Sequence, residues 1–78
     1  MIKESQPLSS MATGFAGVIQ NHQGDDFYQG RLIELGFTCG ERVEILRRTP
    51  FGDFIVDIRS AMIALRKEEA FCLLVSHD

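Results

Sequence analysis

The stretch that most restricts the fold is Arg31 to Gly40, RLIELGFTCG. Leu32 and Leu35 lie three apart, on one face of a helix, with Tyr28 one turn earlier. Gly36 stands where a helix usually ends in a left-handed residue, a shape only glycine takes without steric cost. Phe37 follows, placed to drop its ring back onto the last turn. Gly40 and Glu41 then turn the chain into an alternating run, Val43-Glu44-Ile45, which has the period of a strand. A short helix, stopped by a glycine, therefore leads directly into β structure. On this reading Gly36 and Gly40 have structural work rather than chemical work.

The segments on either side are short and extended. Residues 1–6 are polar and expected to be loose, and Pro7 to Met11 has the pattern of one helical turn. Phe15 to Gln20 is the first strand, with Phe15, Gly17 and Ile19 on one face and Ala16 and Val18 on the other. Both faces are apolar, so the pattern does not say which is inside. Asp25 or Asp26 caps a helix from about Phe27 to Leu35. Gly30 inside that helix costs about 1 kcal/mol against alanine and suggests close approach to a strand. Strand two is Arg42 to Arg48, with Val43 and Ile45 inward. Pro50 and Gly52 make Thr49 to Asp53 a turn. Strand three, Phe54 to Arg59, alternates apart from Ile55. Ser60-Ala61 reverses the chain without a glycine, and strand four runs from Met62 to Arg66. Lys67 to Ala70 forms one helical turn, Phe71 to Val75 is strand five, and 76–78 are a tail. The expected fold is mainly β: a small five-stranded SH3-like barrel with one short α-helix after the first strand, since closing a sheet of short strands removes its edges. A five-stranded OB barrel is the rival.

Seventy-eight residues make a single domain spanning 1–78. A core this small leaves only about 3–5 kcal/mol of net stability. Net charge is −3 and no basic cluster is longer than Arg47-Arg48, which argues against a nucleic-acid partner. No apolar run reaches the roughly 18–20 residues of a membrane span, so no direct membrane insertion is expected. MIKESQPLSS lacks the apolar stretch of a signal peptide, so a cytoplasmic protein with reduced Cys39 and Cys72 is expected.

No set of residues carries chemistry. Cys39, His22, His77, Asp25 and Asp26 have no spacing that supports three or four metal ligands on a rigid frame. Pairing Cys39 or Cys72 with His22 as a nucleophile and base leaves the orienting third group missing. No glycine loop is built to cradle phosphate. The chain reads as a non-enzyme without a catalytic, cofactor or metal site. What remains are apolar residues with no evident core position. Leu32 and Leu35 are the helix residues expected to face the core, Ile33 lies off that face, Phe27 and Phe37 bracket the helix, and Phe51 sits at a turn tip. An exposed apolar patch on so small a protein would mark a binding surface. The expected docking face combines the helix (Leu32, Ile33, Leu35, Phe37) with Thr13-Gly14 and the Phe51 tip, while Gly36, Gly40 and Gly52 hold the turns.

RLIELGFTCGERVEILRRTPFGDF followed by MIALRKEEAFCLLV resembles the FeoA family, the small cytosolic partner of the bacterial ferrous iron transporter. The resemblance rests on Arg31, Leu32, Leu35, Gly36, Phe37, Gly40, Pro50, Gly52, Asp53, Ala64, Leu65, Arg66, Glu69 and Ala70, and covers roughly residues 8 to 75. The family often has Pro where this chain has Phe54, and a longer, glycine-bearing reversal where this chain has Ser60-Ala61. The resemblance implies an SH3-like barrel that acts by contact with FeoB, a membrane protein whose cytosolic domain hydrolyses GTP. It also implies kinship with the C-terminal domain of iron-dependent repressors, but the 78 residues leave no room for their DNA-binding helices. The alternatives are a small iron-binding or iron-sensing protein and a generic SH3-like peptide-binding module. The absence of Trp and the single Tyr28 argue against the aromatic groove that the last would need.

Overall fold

A computed structural model describes residues 4–78; Met1 to Lys3, the first half of the expected loose terminus, lie outside the described residues. The elements in chain order are β1 (Gln6–Pro7), a 3-10 turn over Leu8–Ser10, β2 (Ala16–His22), α1 (Asp26–Glu34), β3 (Arg42–Arg48), β4 (Phe54–Ile58), β5 (Ala61–Leu65), α2 (Lys67–Phe71) and β6 (Leu73–His77). The strands form one antiparallel sheet in the order β1-β6-β2-β3-β4-β5. Inward positions follow the two-residue period: Val43 and Ile45 on β3, Phe54, Val56 and Ile58 on β4, Leu73 and Val75 on β6 are all buried. Gly17 and Ile19 take the inner side of β2, with buried Phe15 just before the strand, the choice the sequence left open. Leu8, Leu32 and Phe37 close the core from the 3-10 turn and α1.

The fold is mainly β as expected, with one strand more. Gln6 is not loose: it pairs with Val75, because β6 would otherwise leave its outer edge open. The tail is also partly strand. Ser76 and His77 pair with Val18 and Gly17, since β2 is long enough to supply partners beyond Val75. Phe71 belongs to α2, and β6 begins only at Leu73. The reversal between β4 and β5 is Arg59-Ser60 rather than Ser60-Ala61, and both residues carry positive φ (51° and 66°). That is the mirror-image two-residue turn whose twist suits a hairpin, here built without glycine. Within the sheet β1 and β5 each have only one neighbour, so edges remain.

Two glycines show contrasting physics. Gly36 has φ +103°, its N–H donates to the Ile33 carbonyl, and the Phe37 N–H donates to the Leu32 carbonyl. This double bond pattern is the Schellman helix end, with Phe37 and Leu32 buried together behind it. Gly17 has ordinary strand geometry, but a Cβ there would stand on the Ser76 carbonyl oxygen and the Phe15 ring. β2 and β6 can lie together at that point only without a side chain. Gly30, expected to approach a strand, faces open space instead.

Candidate functional site

The surface around α1 concentrates exposed apolar side chains. Asp25 caps the helix, its carboxylate accepting from the Phe27 N–H at 2.8 Å. The 3.6-residue period turns Leu32 and half-buried Tyr28 toward the core. It leaves Phe27 (71% exposed), Ile33 (48%) and the capping residue Leu35 (42%) outside. Leu35, expected in the core, is not there: the helix ends one residue earlier, so Leu35 sits on the cap rather than on the inner stripe. Phe27, Gly30 and Leu35 line a shallow cleft of about 550 Å³, with Asp26, Arg31 and Glu34 around them.

The structure divides the residues expected to form the docking face. Leu32 and Phe37 are fully buried and cannot contact a partner, because both are needed to seal the helix end onto the core. Ile33 and Leu35 are exposed on α1. Thr13 is exposed, but its neighbour Gly14 donates to the Ile45 carbonyl, which fixes that turn against β3. Phe51 is 92% exposed at the tip of the β3–β4 turn. Gly40 and Gly52 both carry positive φ, in keeping with the turn roles read from sequence.

A second concavity, of about 530 Å³, opens on the other side of α1. Half-buried Tyr28 and exposed Phe71 give it two accessible aromatic rings, Phe54 lies wholly buried in its wall, and Arg48, Lys67, Asp25 and Glu68 stand around them. Arg48 lies over the Phe54 ring at 3.7 Å and donates to the Gly52 carbonyl at 3.1 Å. Two accessible rings therefore share one concavity despite the lack of Trp. They come from two separate elements, α1 and α2, so no local pattern announced them. Cys72 lies at the base of this groove, where its thiol donates to the Glu68 carbonyl at 3.3 Å. Burial pushes the Cys72 thiol above its ordinary value, and the carboxylates of Asp25 and Glu69 add to that. Such a thiol stays protonated and is a poor nucleophile.

His22 is occupied structurally: its Nε2 donates to the Phe37 carbonyl at 2.6 Å. Among the described residues no three His, Cys, Asp or Glu side chains gather where they could hold a metal ion. Glu69 is a structural carboxylate, accepting from the Arg66 N–H at 2.9 Å and pairing with Arg31 at 3.4 Å, which ties α2 to α1.

The family model of the FeoA domain matches residues 6–77. The crystal structure of an iron uptake regulatory protein, FeoA, is similar with a TM-score of 0.82 at 28% identity, over 92% of this chain and 96% of that one. The solution structure of iron(II) transport protein A from Clostridium thermocellum is similar with a TM-score of 0.80 at 30% identity, over 97% of this chain and 45% of that one. FeoA of Stenotrophomonas maltophilia, crystallised with zinc and described as a procaryotic SH3 domain protein, is similar with a TM-score of 0.71 at 31% identity, over 88% and 87%. No curated protein matches the chain.

Proposed function

This chain belongs to the FeoA domain family, which is associated with ferrous iron transport, and on that premise we propose that it serves iron uptake without chemistry of its own, by docking on the cytosolic side of a FeoB-type transporter. The observation that carries this reading is the exposed apolar group on α1. Of six large hydrophobic side chains left outside among the described residues, three (Phe27, Ile33, Leu35) belong to that one helix and its cap. Exposing them costs solubility, and a covering partner removes that cost. No helix among the described residues is long and apolar enough to cross a membrane, so contact with a membrane transporter would be made from outside the bilayer.

Pull-down of the intact chain by the full-length transporter tests the reading. Wild type is retained, whereas Phe27→Asp and Ile33→Asp are lost while their melting temperatures stay within a few degrees of wild type. Retention of both variants, or no retention of the folded wild type, would sink it. Reconstitution of the transporter with and without the chain, reading nucleotide hydrolysis and iron uptake together, then shows what docking changes.

The groove that presents Tyr28 and Phe71 favours a second reading, an SH3-like module for extended peptides. Titration with a proline-rich peptide that shifts the amide signals of Tyr28 and Phe71 would support it.

A further inference from the structure

The two edges of the sheet are not alike. β1 is two residues long and ends at Pro7, which has no N–H to offer a neighbour. β5 reads Ala-Met-Ile-Ala-Leu: five residues, no charge, no proline, and no bulge in its ladder to β4. Short length, proline, charge and bulges are the usual devices that keep a stray strand from adding to an edge. β1 has two of them and β5 has none.

The register shows what the β5 edge offers. The Arg59-Ser60 turn closes on the pair Ile58 and Ala61, so the hydrogen-bonded pairs are Ile58 with Ala61, Val56 with Ile63 and Phe54 with Leu65. The N–H and C=O groups of Met62 and Ala64 therefore point away from β4, and no described strand takes them up. The side chains of Met62 and Ala64 are also exposed, Met62 to 72%. Across the ladder, Ala64 stands beside Ile55, the residue that breaks the polar pattern on the outer face of β4.

We propose that β5 is a strand-addition site, and that its occupant is an extended, uncharged segment of a partner protein with a carboxylate at each end. Charge selects that occupant. Arg59 precedes the strand, and Arg66 and Lys67 follow it, all exposed. Arg66 and Lys67 form no ion pair among the described residues, and Arg59 reaches only Glu41, at 3.9 Å. A second copy of this chain suits the edge badly. Two-fold antiparallel pairing centred on Ile63 would set Arg59 against Lys67 of the other copy, with like charges at both ends. The surface is separate from the α1 face, and its test does not involve the transporter, so either reading can fail without the other.

The test is titration of the full chain with the capped synthetic peptide Asp-Val-Thr-Val-Thr-Val-Asp, followed by backbone amide shifts and hydrogen exchange. Saturable shifts and slowed exchange at the Met62 and Ala64 amides are expected. Replacing the terminal Asp residues by Lys should weaken binding at least about tenfold, in line with about 1.4 kcal/mol per decade. Ala64→Pro should abolish it, since the lost N–H faces outward and the β4 ladder does not use it. Should that variant fail to fold, N-methylation of the peptide's central residues must remove the shifts in wild type. Shifts absent from Met62 and Ala64, or equal binding of the Lys-ended peptide, overturn the proposal. So does a free chain that sediments as a dimer with those two amides already protected.

Discussion

At the scale of single residues, three glycines separate three physical effects. Gly30 lies in a helix interior, and a methyl group at its Cα would have nothing within 4 Å, so Gly30→Ala only removes backbone entropy from the unfolded chain. It should stabilise the protein by about 1 kcal/mol, raising Tm by about 4–8 °C for a domain of this size in thermal melts. Gly17→Ala meets the Ser76 backbone and the Phe15 ring, and β2 and β6 must part to admit it. A loss of about 1–3 kcal/mol is expected in denaturant titration. Gly36→Val suffers neither crowding nor entropy but strain, because a β-branched residue is forced to φ +103°. A cost of about 1–3 kcal/mol against a total of about 3–5 kcal/mol removes a large share of the stability and lowers Tm, and a wild-type melting curve would contradict this. The Gly36 role was legible in the sequence because a helix stop is local. The Gly17 role was not, because its reason is a carbonyl 59 positions away.

At the scale of elements, the β4–β5 hairpin and the α1–α2 contact each rest on one costly device. Arg59 and Ser60 both occupy the left-handed region without being glycine. Ser60→Gly should therefore stabilise the hairpin by roughly 0.5–1 kcal/mol, part of the strain of about 1–2 kcal/mol per such residue being offset by glycine's extra entropy. Glu69 is buried, and it both caps the Arg66 N–H and reaches Arg31 on the other helix. Glu69→Ala should lose about 1–3 kcal/mol by leaving an N–H without its acceptor, with the loss visible in equilibrium unfolding. The sequence pattern Glu69-Ala70 marked this turn, but nothing in it said that the carboxylate would be inside.

At the scale of the whole molecule, what the two thiols do follows from where the fold places them. Cys39 is exposed and Cys72 buried, so a thiol reagent should modify one cysteine per folded chain quickly and the second only on unfolding. Burial raises the Cys72 value above the ordinary 9.0. The unfolded chain then loses this proton before the folded chain does. The stability the neutral thiol lends is whole below pH 9.0 and drains away as pH climbs through the raised value. Cys72→Ala should show a shallower alkaline fall in stability than wild type, measured as the difference between the two profiles. The aromatic groove is also a property of the whole. Tyr28 and Phe71 share no periodic pattern, and only the packing of α1 against α2 brings them to one concavity.

What the amino-acid sequence determined alone is whatever rests on a few consecutive residues. The Gly36 stop, the glycine turns and the alternating inner faces of β3, β4 and β6 all follow from backbone geometry within a turn or a strand, as does an aspartate cap at 25 or 26, of which the fold uses Asp25. The tertiary structure alone decided which apolar residues are spare. Leu32 and Leu35 look alike in a periodic count, but one meets the sheet and the other the solvent, because burial depends on what a face packs against. The pairing of β1 with β6 and the bare edge of β5 were settled the same way, by which strands the packed core left without a neighbour.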